Sequence, residues 1–165
     1  MTRQELGDAS TSIVAEGADI VMERVFDAPR ELVWAAMTSP EHIPNWWGPH
    51  GNHADVQEMD VRPGGKWRIG PPQGTEGVAF GGEFLQVVRP ERFVRTSSPD
   101  MPGMDGGGPP AVETVTLEDL GGKTKMVYQG RFPSEDVLEF ALAQGMTKGV
   151  LEQFDRLAAL LAEIG

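Results

Sequence analysis

Between Asn52 and Arg131 the hydrophobic and polar positions fall into short segments with the texture of strands, separated by turns. Strands are predicted near 53–61, 66–70, 78–88, 92–97, 112–119 and 123–131. They are punctuated by Pro63-Gly64-Gly65, Pro71-Pro72-Gln73-Gly74, Arg89-Pro90-Glu91 and Gly121-Gly122, all turn chemistries. Short turns between consecutive strands predict an antiparallel meander. Upstream, Ile20–Phe26 is rich in β-branched and apolar residues and reads as one more strand, stopped at Asp27-Ala28-Pro29.

Helical spacing appears in two places. Leu32, Val33, Ala36 and Met37 predict a short helix after Pro29, and Ser39-Pro40-Glu41 opens a second through His42, Ile43 and Trp46. At the other end, Val150, Phe154, Leu157, Leu161 and Ile164 step by four and three, predicting one long helix from Ser134 to Ile164. Ser134 is the expected cap, with Glu135 and Asp136 favouring the positive end of the helix dipole. Gly145 and Gly149 interrupt this helix and are expected to mark a bend or a close approach. Residues 1–17 are polar without a sustained period and are expected to form a flexible lead-in to a single domain over 18–165. A Pro/Gly-rich stretch, Ser97–Pro110, reads as a long loop.

One architecture satisfies all these apolar faces: a curved antiparallel sheet around one long C-terminal helix, with two short helices plugging one end. This is an α+β helix-grip fold, and a cavity remains if the sheet curves more than the helix fills.

Composition narrows the function classes. The 165 residues carry a formal net charge of −11, which repels phosphate backbones and argues against nucleic-acid binding. With no cysteine, disulfides, thiolate nucleophiles and Cys-ligated metals are excluded. No apolar run suits a membrane span, and the first residues lack a secretory apolar region, so a soluble, cytoplasmic protein without membrane partners is expected.

Several short signals invite chemistry. Gly121-Gly122-Lys123-Thr124 lacks the upstream glycine of a phosphate-binding loop and is read as a hairpin turn. Arg62–Trp67 is a turn with no helix after it to bind an anion. His50, His53 and Asp55 are close in sequence, but only His53 and Asp55 share a strand face and a third ligand is missing there, so neither metal nor other cofactor is expected. Glu58, Asp60, Glu83 and Tyr128 are candidate acid–base groups, but no nucleophilic triad or carboxylate pair can be placed. Trp46 and Trp47 point about 100° apart on a helix, so the two rings occupy different environments. One reading has them as structural anchors; the other turns one indole toward a ligand.

Five segments, in order, carry a resemblance: VFDAPRELVWAAMTSPEH (Val25–His42), NWWGP (Asn45–Pro49), DVRPGGKWRI (Asp60–Ile69), TVTLEDLGGKTKM (Thr114–Met126) and GMTKGVLEQFDRLAALLA (Gly145–Ala162). The chain resembles the START-like (SRPBCC) superfamily, and within it proteins similar to the C-terminal domain of the activator of the ninety-kilodalton heat-shock protein ATPase. It departs from them at Val150, where relatives often carry an aromatic residue, and in the composition of Ser97–Pro110. The resemblance implies binding of a small hydrophobic or aromatic molecule between sheet and helix, since members of the superfamily bind lipids, steroids and polyketides. Two alternatives stay open: an enzyme of the cyclase or hydrolase kind, and a co-chaperone stimulating a heat-shock ATPase. The expected ligand-binding residues are Phe80, Phe84, Met126, Tyr128, Leu142 and Met146, with Trp46 or Trp47 near the mouth. An exposed sheet edge could mediate a homodimer.

Overall fold

The computed structural model describes residues 3–100 and 109–165. Its strands are β1 (Arg3–Glu5), β2 (Ser12–Glu16), β3 (Asp19–Phe26), β4 (Asp55–Met59), β5 (Lys66–Gly70), β6 (Ala79–Val88), β7 (Arg92–Asp100), β8 (Ala111–Asp119) and β9 (Thr124–Arg131). Among the described residues these form one sheet in the order β1-β2-β3-β9-β8-β7-β6-β5-β4. All pairings are antiparallel, so the meander predicted from the turns is present, with β3 closing against β9. Bulges between Val56 and Glu58 and between Phe84 and Gln86 shift the register and add local bend.

Residues 3–16 correct the expected lead-in. Ile13 and Ala15 alternate inward on β2 and are buried, and β2 pairs with β3 over its full length. A five-residue strand burying two side chains gives almost no periodic signal; its order comes from the partner strand.

Helix α1 (Arg30–Thr38) follows Pro29 and buries Val33, Trp34, Ala36 and Met37. The second short helix is a single 3-10 turn, Ile43–Asn45, since Pro44 cannot extend an α-helix. The expected long terminal helix is two helices, α2 (Glu135–Ala143) and α3 (Met146–Ile164). Ser134 caps α2, its hydroxyl accepting from the Val137 N–H at 3.2 Å. Gly145 takes φ +89°, a left-handed conformation that stops α2 and redirects the chain. Gly149 lies within α3, where its missing side chain leaves open space.

The inner face of the sheet packs on α1 and α3 in one core. Phe154 of α3 meets Phe26 of β3 edge-on, and Leu157, Leu160 and Leu161 continue the apolar stripe. Leu138 is the one buried residue of α2, which leaves Val137 and Phe140 exposed. Residues 97–100 of the predicted long loop extend β7, and Ala111 begins β8; residues 101–108, with Met101 and Met104, lie outside the described residues.

Candidate functional site on the inner face

Strand register sets charged groups among the inward apolar residues of β7, β8 and β9. Arg95 follows buried Phe93 by two, Glu113 precedes buried Val115 by two, and Tyr128 follows buried Met126 by two. Arg95 pairs across the sheet with Glu113, and Glu113 with Gly130. Tyr128 is therefore the diagonal neighbour of Glu113, within reach of a long side chain.

The three groups make one network. Arg95 Nε donates to Glu113 Oε2 at 2.8 Å, and the Tyr128 hydroxyl donates to Glu113 Oε1 at 2.8 Å. Gly130 makes room for this: a Cβ there would lie 3.2 Å from a Tyr128 ring carbon and 3.3 Å from its hydroxyl. The Arg95 and Glu113 side chains retain 8% and 12% of their exposure, so the ion pair is largely withdrawn from water. Pairing and hydrogen bonds are what make such burial tolerable. Burial first, and the Glu113 carboxylate second, push the Tyr128 phenol well above its ordinary pKa. The phenol stays neutral through physiological pH and acts as a hydrogen-bond donor.

Aromatic rings enclose the guanidinium. Arg95 lies 3.8 Å from the ring centroid of Trp67, 5.1 Å from Phe93 and 5.9 Å from Phe84. Desolvated cation–π contacts of this kind contribute about 2 kcal/mol. Trp67 is fixed by its own donation to the Thr96 carbonyl at 2.9 Å, and Trp47 packs edge-on against it at 6.3 Å.

The two indoles do differ in burial, but not through helical spacing: both follow the 3-10 turn Ile43–Asn45, and their rings touch edge-on at 5.8 Å. Trp46 is buried and donates to the Ala36 carbonyl at 2.8 Å, tying the 3-10 turn to α1. Trp47 is half-buried and joins the ring series that ends on Arg95. Their loop is held from α3 by Arg156, whose Nη1 donates to the carbonyls of Trp47, Gly48 and Pro49 at 2.9–3.0 Å. Its Nη2 donates to those of Asn45 and Asn52. Gln153, one turn earlier, accepts from the Gly48 N–H at 2.9 Å. Burial lowers the Arg156 pKa from its ordinary value without threatening the charge of a guanidinium.

The other expected binding residues occupy distinct layers. Phe84 and Met126 are closed within the core. Phe80, Tyr128, Leu142 and Met146 are half-buried and pack against that core from its margin. Two open hollows border these groups, the first sharing Asn45 and Arg156 and the second Trp67 and Thr96. One, of about 460 Å³, is bounded by Asn45, His50, Asp155, Arg156 and Glu163. The other, of about 470 Å³, is bounded by residues including Lys66, Arg68, Gly81, Glu83 and Ser98. His53 is exposed, and the described residues contain no group of three His, Asp or Glu side chains placed to hold a metal. No described helix is long and apolar enough to cross a membrane.

Arg95, Glu113, Trp67 and Arg156 were not among the site residues expected from sequence. For the first two a signal existed: each is a charged residue two positions from an inward apolar one on a strand. Arg156 carried none, since a polar residue on an amphipathic helix is read as solvated.

Among solved structures, a protein from Arthrobacter aurescens is 25% identical with a TM-score of 0.78, the match covering 92% of this chain and 91% of that one. CV1439 from Chromobacterium violaceum is 27% identical with a TM-score of 0.71, covering 86% and 96%. DynU16, a protein of the dynemicin biosynthetic locus, shares the fold at 20% identity and a TM-score of 0.66, covering 88% of this chain and 47% of that one. No curated protein matches the sequence. The sequence profile of the activator of Hsp90 ATPase homolog 1-like proteins matches residues 27–162, spanning α1, the inner-face network and most of α3. The chain belongs to that family, within the START-like superfamily that its five sequence segments resemble.

Proposed function

We propose that the protein binds a small, largely apolar or aromatic molecule between the sheet and the α2–α3 helices, with the Arg95–Glu113–Tyr128 network as its polar anchor. The observation that carries this reading is that network itself: an ion pair and a phenol on an otherwise apolar inner face. Binding sites for small molecules commonly combine apolar walls with a few fixed polar groups. Phe80, Leu142 and Met146 supply apolar surface that the core does not fully cover. Beside Leu142 and Met146, Gly145 and Gly149 add no side chain of their own to the helical segment. Helix α2, anchored by Leu138, is the element that lifts to admit the ligand, since segments with few buried contacts open at the lowest free-energy cost.

Titration with the neutral dye Nile red, read by fluorescence, tests this. Saturable one-to-one binding is expected, with loss of binding in Met146→Trp and an unchanged melting temperature, because the indole takes up free space. A wild type that binds no dye, with a Met146→Trp variant destabilised by overpacking, would overturn the reading.

A further inference from the structure

Building on the ligand-binding reading above, we infer that the ligand meets the outer edge of the Arg95 guanidinium, and that Glu113 makes the site select a neutral carbonyl group over a carboxylate. A guanidinium carries five N–H donors. Arg95 spends one, its Nε–H, on Glu113; among the described residues neither Nη has a hydrogen-bond partner. Yet no fully closed-off side-chain nitrogen or oxygen among those residues lacks a partner. Both Nη atoms therefore keep some accessible surface, while the residue as a whole retains only 7% of its exposure. The guanidinium is held in place by Glu113 at one edge and the Trp67 ring beneath it, and its remaining N–H groups form a preorganised fork.

Charge balance decides what that fork accepts. Glu113 already neutralises Arg95, and both carboxylate oxygens are taken, one by Arg95 and one by Tyr128. A ligand carboxylate would place a second negative charge beside Glu113 in a site withdrawn from water, where repulsion is poorly screened. The whole-chain charge of −11 adds to that repulsion. A ketone, ester or amide oxygen accepts from the same N–H groups and adds no charge. Trp67, Phe84 and Phe93 hold the guanidinium from the core side and are themselves buried, so an aromatic or other flat apolar body next to that oxygen rests on half-buried rings such as Trp47 beside Trp67.

The test compares three probes sharing one ring system, measured by equilibrium dialysis at pH 8: 2-acetylnaphthalene, 2-naphthoate and naphthalene. Wild type is expected to bind the ketone at least about tenfold tighter than the carboxylate, a difference of about 1.4 kcal/mol. Glu113→Gln leaves the guanidinium charge uncompensated, and naphthoate is expected to gain at least about tenfold over the ketone. The double variant Arg95→Met/Glu113→Gln carries no charge at the site; it is expected to bind ketone and naphthalene equally. Because it buries no unpaired charge, it serves even if Glu113→Gln fails to fold. Equal binding of ketone and carboxylate by wild type, or a ketone preference over naphthalene that survives in the double variant, would overturn the inference and leave the ligand-binding reading standing. Failure of all three probes to bind wild type would overturn both.

Discussion

The Tyr128 hydroxyl lies 2.8 Å from Glu113 Oε1, so the single tyrosine of the chain reports directly on the polar network. Desolvation and the neighbouring carboxylate both disfavour the phenolate, raising the folded-state pKa above the unfolded value of about 10. The contribution to stability is full below pH of about 10 and is lost as pH rises through the folded pKa. Absorbance at 295 nm should show a midpoint well above 10 in the native protein and a drop toward 10 in Glu113→Gln. A native midpoint near 10 would contradict the buried phenol–carboxylate contact.

Arg156→Met should destabilise the protein by about 2–4 kcal/mol, because hydrogen bonds to a charged group contribute about 1.5–3 kcal/mol each and the released carbonyls partly rehydrate. Arg156→Lys should recover little, since an ammonium lacks the planar fork that reaches five carbonyls. Urea melts of the three proteins measure this. A lysine variant as stable as wild type would show that charge alone, without the fork, holds the loop.

The two glycines near the start of α3 should respond with opposite signs. Gly145→Ala forces a Cβ into left-handed backbone at φ +89° and should cost about 1–2 kcal/mol. Gly149→Ala enters open space within a helix and should stabilise by about 0.5–1 kcal/mol. Thermal melts distinguish them; matching signs would contradict either the αL turn or the open space.

Gly130→Ala tests the floor of the network. The added methyl would stand 3.2–3.3 Å from the phenol, closer than comfortable contact, and would lift the ring from Glu113. The tyrosine midpoint should fall, with a stability loss of about 1–3 kcal/mol. An unchanged midpoint would mean that the ring does not lie over residue 130.

Much of the fold was legible because its strands are long, alternate cleanly and end at distinctive turns. β5 matches its predicted bounds at 66–70, and β6, β8 and β9 differ by a single residue at one end. What failed had non-local causes. β1 and β2 exist through pairing with β3, and their few buried side chains leave little trace in composition. The division of the terminal helix turned on one backbone angle at Gly145, which a glycine permits but does not announce. Within the site, Tyr128 was visible as a polar residue on an inward face. Arg95 and Glu113 carried the same two-residue signal but were passed over, because a charge in a strand is ordinarily read as outward, and only cross-strand register brings the two together.

The carbonyl cradle around Arg156 also constrains the order in which the chain can acquire its shape. The five oxygens come from residues 45–52, yet the donor arrives from 104–111 positions further along. Contacts of such separation carry a high loop-closure cost and form late. Helix and loop are then a single mechanical part: a force that displaces Trp47 is transmitted to α3 through the Arg156 guanidinium and the Gln153 amide, and a shift of α3 is felt at the aromatic wall beside Arg95.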